Sequence, residues 1–71
     1  MSMDFDKLYN TYYMEVYSYL MTLARNAHMA EEITQEVFFK ALKTKNPYRG
    51  ASGELTWLCA IAKNTFMYEC R

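Results

Sequence analysis

Lys63, Asn64 and Arg71 stand on one side of a stretch whose other side is apolar, and that contrast defines what chemistry the chain can do. Between Glu54 and Arg71, the residues Leu55, Trp57, Leu58, Ile61, Ala62, Thr65 and Phe66 recur at steps of three and four, the spacing of a stripe on a helix. Thr56, Ala60, Lys63, Asn64, Met67 and Arg71 fall on the side turned away from it. One face buries; the other offers cationic and amide groups to a phosphate or a base edge. Just ahead, Tyr48-Arg49-Gly50 places an aromatic ring beside a cation in an irregular segment. Such a pair can stack an unpaired base and hold its phosphate. The tyrosine can equally tuck into the core.

A second set of residues has the opposite character. Glu32, Gln35, Glu36, Phe39 and Lys43 line up along one side of the stretch from His28 to Thr44. A carboxylate, an amide and an exposed ring on one helical ridge form a surface that an arginine-bearing protein partner can grip. A solvated acidic face, with Phe39 half buried against a neighbouring helix, is the competing reading. The charge distribution extends the contrast: net charge is zero, yet up to Phe39 two basic residues face six acidic ones, and from Lys40 onward six basic residues face two acidic ones. Zero net charge argues against a simple nucleic-acid sponge. The segregation suggests two different partner surfaces, against the plainer reading of ordinary solvated faces.

No catalytic constellation is visible. The single histidine, His28, has no second histidine or cysteine spaced to share a metal, and reads as a surface residue. There is no glycine-rich phosphate cradle and no nucleophile paired with a base. Glu31, Glu32 and Glu36 on one helix do not make a cation site without ligands from another element. The expectation is a protein that is not an enzyme and uses no metal or cofactor. Cys59 and Cys70 lie on the same proposed helix, about 16 Å apart at helical rise and beyond the ~7 Å limit for a disulfide. Free thiols fit a reducing cytosol. The longest apolar run, Trp57 to Ala62, is far short of a membrane span, and no signal peptide is apparent, so a cytoplasmic protein is expected.

The elements that must position these groups are helices. Seventy-one residues make one small domain, whose stability should be modest. Its glycines and its proline all fall between Pro47 and Gly53, so one long irregular connection is expected there. The spacing predicts an all-α three-helix bundle with helices at about 5–24, 28–44 and 53–70. In the first, Phe5, Leu8, Tyr12, Val16, Leu20 and Leu23 trace one stripe, widened by Tyr9, Tyr13, Tyr17 and Met21, with Asp4 as a cap and Asp6 at the positive end of the helix dipole. A tyrosine stripe can stack bases, but at helical spacing it is more often core with its hydroxyls at the rim. In the second, Asn26 is the N-cap and Ala30, Ile33, Thr34, Val37, Phe38, Ala41 and Leu42 face inward. Pro47 restricts Asn46 and closes the helix. Ser52 or Gly53 opens the third, Ser52 being the better cap.

Three blocks carry a resemblance: Glu31-Glu32-Ile33-Thr34-Gln35-Glu36-Val37-Phe38, then Tyr48-Arg49-Gly50, then Thr56-Trp57-Leu58-Cys59-Ala60-Ile61-Ala62-Lys63-Asn64. Together, and with their spacing, they resemble region 2 of the extracytoplasmic-function group of sigma-70 family sigma factors, the initiation subunits of bacterial RNA polymerase. The resemblance spans nearly the whole chain and implies a single region 2 domain over 1–71. It implies that Glu32, Gln35, Glu36 and Phe39 dock on the clamp helices of the polymerase β′ subunit. It implies that Tyr48, Arg49, Gly50, Ala51 and Ser52 shape a pocket for a base flipped from the non-template strand of the promoter −10 element, with Lys63, Asn64 and Arg71 facing the DNA. An anti-sigma factor is the implied regulator. Family members continue into region 4, a helix-turn-helix that reads the −35 element; these residues contain none of it, which suggests an excised or truncated piece. The alternative from another class is a helical interaction module, a polymerase- or regulator-binding decoy with no DNA role.

Overall fold

In the computed structural model, residues 5–44 and 53–70 are described, and they form three helices. These are α1 (Phe5–Ala24), α2 (Ala27–Lys43) and α3 (Glu54–Glu69). Each packs on both of the others, so the core is the channel where the three apolar stripes meet. Leu8, Val16 and Leu20 come from α1, Ala30, Ile33, Val37, Phe38 and Ala41 from α2, and Leu58 and Ala62 from α3. Among the described residues Thr34 and Thr65 are the buried polar ones, and Thr34 satisfies its hydroxyl by donating to Ala30 O at 2.6 Å. The all-α three-helix reading of the sequence therefore holds.

Local signals explain the boundaries. Asn26 is extended and accepts from Met29 N at 3.0 Å, which makes Ala27, one residue earlier than expected, the first residue of α2. At the other end Thr44 is already extended, with its N–H on Ala41 O, so α2 stops at Lys43. α3 is capped by Gly53 at φ 90° with no side-chain cap. A Cβ there would meet nothing within 4 Å, so the need for glycine is purely conformational. The proposed caps Asp4 and Ser52, along with Asn46 and Pro47, lie outside the described residues.

Three inward assignments need correction. Leu42 is 55% exposed and Leu23 37%. A step of four overshoots a helical turn by about 40°, so Leu42 has rotated past Phe38 and off the core face, whereas Leu23 falls in the last turn of α1. Trp57 is half-buried at the edge of the α3 stripe, packed against the core. The tyrosines behave as core with exposed rims: Tyr9, Tyr12, Tyr13 and Tyr17 are all partly buried.

The turn between α1 and α2 was legible only in part. Arg25 closes α1 by donating its N–H to Met21 O at 2.9 Å, and does so at φ 53°, in the left-handed region. A side chain there costs about 1–2 kcal/mol, which glycine avoids. Arg25→Gly should therefore stabilise the fold by about 0.5–1 kcal/mol after the added freedom of the unfolded chain is counted. A thermal melt should show Tm higher by a few degrees, at about 4–8 °C per kcal/mol. An unchanged or lower Tm would mean that Arg25 makes contacts outweighing its strain.

Candidate docking ridge and nucleic-acid face

The ridge on α2 is present as an exposed surface. Glu32 and Gln35 are open to solvent, Glu36 is half-exposed, and Phe39 is 58% exposed, which removes the reading of Phe39 as half buried against α1. The ring carries the Lys43 ammonium 5.1 Å from its centre, and Lys43 in the last turn suits the negative end of the helix dipole. Glu32 lies 3.2 Å from His28 Nε2 one turn back, a pair charged only when the imidazole is protonated. Glu36, Phe39, Lys40, Lys43 and Thr44 line a shallow groove of about 380 Å³ at the C-terminal end of the ridge.

Toward α1, the ridge is backed by aromatic side chains. The Tyr13 hydroxyl lies near Gln35, and its pKa is raised above the usual phenol value, first by burial and then by the nearby Tyr9 and Glu31. Tyr13 and Tyr17 are nearly parallel, at 7° and 6.5 Å between ring centres, and with Met14 and Glu31 they line a second open groove of about 270 Å³. The sequence reading placed these tyrosines in the core and did not find the groove. Met14 belongs to no stripe, and that was the one available signal.

On α3, Thr56, Ala60, Lys63, Asn64 and Met67 are all exposed, as the side turned from the apolar stripe requires. The helix is anchored at its first turn, where the Tyr12 hydroxyl donates to Glu54 Oε1 at 3.3 Å. Glu54 also suits the positive end of the α3 dipole. Lys63 and Asn64 are thus held on a fixed helix with their polar ends in solvent. Tyr48, Arg49, Gly50, Ala51, Ser52 and Arg71, the other candidates for this face, lie outside the described residues.

One residue that the sequence reading passed over ties α2 to α3. Lys40 Nζ donates to Thr65 Oγ1 across the α2–α3 seam at 3.0 Å and lies 3.7 Å from Glu36 Oε2. Nothing in the spacing could have paired a lysine on α2 with a threonine twenty-five positions on.

The thiols are free, and Cys59 is pushed up from its ordinary pKa by burial and then by Glu15. Among the described residues no three His, Cys, Asp or Glu side chains gather as a metal site, and no helix is long and apolar enough to cross a membrane.

Residues 8–71 match the family model described as Sigma-70 region 2. The chain is similar to the ECF RNA polymerase sigma factor SigX of Bacillus subtilis, with 33% identity over 84% of this chain and 31% of the relative. It is also similar to the RNA polymerase sigma factor YlaC of the same organism, with 37% identity over 87% of the chain and 36% of the relative. A third relative, the ECF RNA polymerase sigma factor SigM, shares 31% identity over 92% of the chain and 39% of its own length. The chain thus spans about a third of the length of these curated relatives. No solved structure matches it.

Proposed function

The chain belongs to the Sigma-70 region 2 family, and from that premise we propose that it is the part of a transcription-initiation factor that docks on core RNA polymerase and engages the promoter −10 element. Residues 8–71 form one region 2 unit in this reading. Glu32, Gln35, Glu36 and Phe39 meet the clamp helices of the β′ subunit, and Lys63 and Asn64 face the non-template strand. Tyr48, Arg49, Gly50, Ala51, Ser52 and Arg71 complete the DNA side. The protein works in the cytoplasm, where polymerase and promoter are, and an anti-sigma protein would act by covering either surface. No chemical step is required of it.

The observation that carries this reading is the coexistence of two exposed faces of different character on neighbouring helices. The acidic and aromatic ridge of α2 suits a basic protein surface, whereas the cation and amide of α3 suit a phosphate and a base edge. Holding a base out of its stack costs a few kcal/mol, which stacking on an aromatic ring and phosphate contacts can offset.

Lys63→Ala tests the DNA side. Its ammonium is exposed and supports no core contact, so the variant should remain folded. Fluorescence anisotropy with single-stranded oligonucleotides of varied sequence should show weaker binding of all of them, with the slope of log affinity against log salt smaller by about 0.7. Unchanged affinity and slope would count against the DNA face and in favour of an interaction module that binds protein alone.

A further inference from the structure

We propose that the chain pairs with a second copy of itself through α2, the two helices running antiparallel so that Glu36 of each copy meets Lys43 of the other. The pairing belongs to the chain alone; its consequence, that it hides the docking ridge, rests on the functional reading above.

The exposed side of α2 is polarised in charge along its length. Glu31, Glu32 and Glu36 lie toward its N-terminal end, and Lys40 and Lys43 occupy its last turn. Glu36, Phe39, Lys40 and Lys43 stand at i, i+3, i+4 and i+7, the spacing of a seam between two helices, and with Thr44 they line one open groove. Neither α1 nor α3 covers that seam, because both pack on the side of Ile33, Val37 and Ala41. Phe39 is thus 58% exposed, and Leu42 on its flank is 55% exposed.

A twofold axis fits this pattern. In a pair of identical copies related by such an axis, residue i meets residue j and j meets i. With the axis crossing between Phe39 and Lys40, Glu36 and Lys43 are equally far from it along the helix, so two ion pairs form together. The Phe39 rings and the Lys40 stems then share the centre of the contact, where apolar surface is most useful. A parallel pairing in register would set Glu36 against Glu36 and Lys43 against Lys43, so the charge pattern itself selects the antiparallel one.

The side chains are placed for this exchange. Glu36 Oε2 lies 3.7 Å from Lys40 Nζ, a loose pair that leaves the carboxylate able to accept from a second ammonium. Lys40 is held on its own chain by Thr65 Oγ1 at 3.0 Å. Lys43 stands over the Phe39 ring, 5.1 Å from its centre, already at the edge of the groove. A wholly basic partner would satisfy Glu36 but be repelled by Lys40 and Lys43. A second copy offers acid and base in the matching order. A contact of one helix on one helix is small, under about 1,200 Å² in total, so the association is weak and reversible. Glu36 and Phe39 belong to both interfaces, and a paired chain cannot present them to polymerase.

Sedimentation velocity of the chain alone, up to about 1 mM, the weak end of ordinary affinities, should show its mass rising from 8.4 kDa toward twice that value. Glu36→Lys and Lys43→Glu should each weaken self-association by about tenfold or more, since two symmetry-related pairs turn repulsive at once. An equimolar mixture of the two variants should associate as the parent does, because each supplies the charge the other lacks. That rescue also shows both variants to be folded. A parent chain that stays monomeric, variants that associate as it does, or a mixture that fails to associate overturns the pairing. A synthetic β′ clamp-helix fragment added to the dimer should dissociate it. A dimer that persists with the fragment bound overturns the shared surface, whereas a fragment that binds neither dimer nor monomer counts against polymerase docking and leaves the pairing in place.

Discussion

Phe38→Ala is expected to leave the chain largely unfolded at room temperature. Phe38 is 1% exposed and is the largest fully buried side chain among the described residues. Its ring meets Tyr9 at 5.0 Å, Tyr13 at 6.0 Å and Phe5 at 6.4 Å between centres, the last edge-on. It is thus the point where α2 is gripped by three aromatic residues of α1. Truncating a buried phenylalanine costs about 3–5 kcal/mol, from lost transfer energy plus the cavity left behind. A domain of this size has about 4–10 kcal/mol in total, toward the lower end where a single small core supplies it. The loss is therefore comparable to the whole stability. Far-UV circular dichroism should show most of the helical signal gone, with no cooperative melt, while Phe38→Leu, which refills much of the space, should still melt cooperatively at a lower temperature. A cooperative melt for Phe38→Ala within a few degrees of the parent would show that the aromatic cluster contributes little to the fold.

The importance of Phe38 was readable in advance, and the reason shows what a sequence does and does not carry. Its position on the α2 stripe, beside Thr34 and Ala41, follows from helical periodicity, as do the buried Leu8, Val16 and Leu20 of α1. Periodicity assigns a direction to each side chain, and direction is enough where a neighbouring helix is certain to lie opposite. It fails at margins. Leu42 and Trp57 both satisfy the three-four spacing loosely, and each ends on the shoulder of its stripe, because burial there depends on how far the next helix reaches. It also cannot pair residues between elements. The Tyr12–Glu54 bond and the Lys40–Thr65 bond both depend on how three helices are rotated against one another. The left-handed Arg25 was hidden for a different reason, since glycine is the usual marker of that conformation and here it is absent.

The two candidate faces differ in the same way. The exposed side of α3 was fixed once its apolar stripe was recognised, because whatever is not in the stripe must face solvent. The ridge of α2 was ambiguous, because Phe39 is adjacent to the fully buried Phe38 and could have followed it inward. What resolves it is the narrowness of the α2 stripe: α1 and α3 both pack on the side of Ile33, Val37 and Ala41, and a residue one position past Phe38 points away from both.

That exposure sets up the second large effect. The double variant Glu32→Lys, Gln35→Ala should lose binding to a β′ clamp-helix fragment by about 100-fold or more, on the order of 3 kcal/mol. The argument concerns the complex and not the free chain. Free, Glu32 is mostly exposed and its pair with His28 is worth little, so the substitution should leave the fold intact. A lysine at 32 adds at most a few tenths of a kcal/mol of repulsion against a protonated His28 one turn back. Docked, the same position loses its water, and a cation placed against a basic partner surface is then both unpaired and repelled. Gln35 is the exposed amide next along the ridge, near Tyr13, and its truncation removes a side chain that the proposed docking would use. Titration calorimetry of parent and double variant, with circular dichroism to show equal helicity, makes the comparison. Equal affinity in the two chains would remove Glu32 and Gln35 from the interface, whereas no heat from either would mean that the family likeness does not extend to polymerase docking. Loss confined to the variant, at unchanged helicity, requires that the acidic ridge be the surface the polymerase holds.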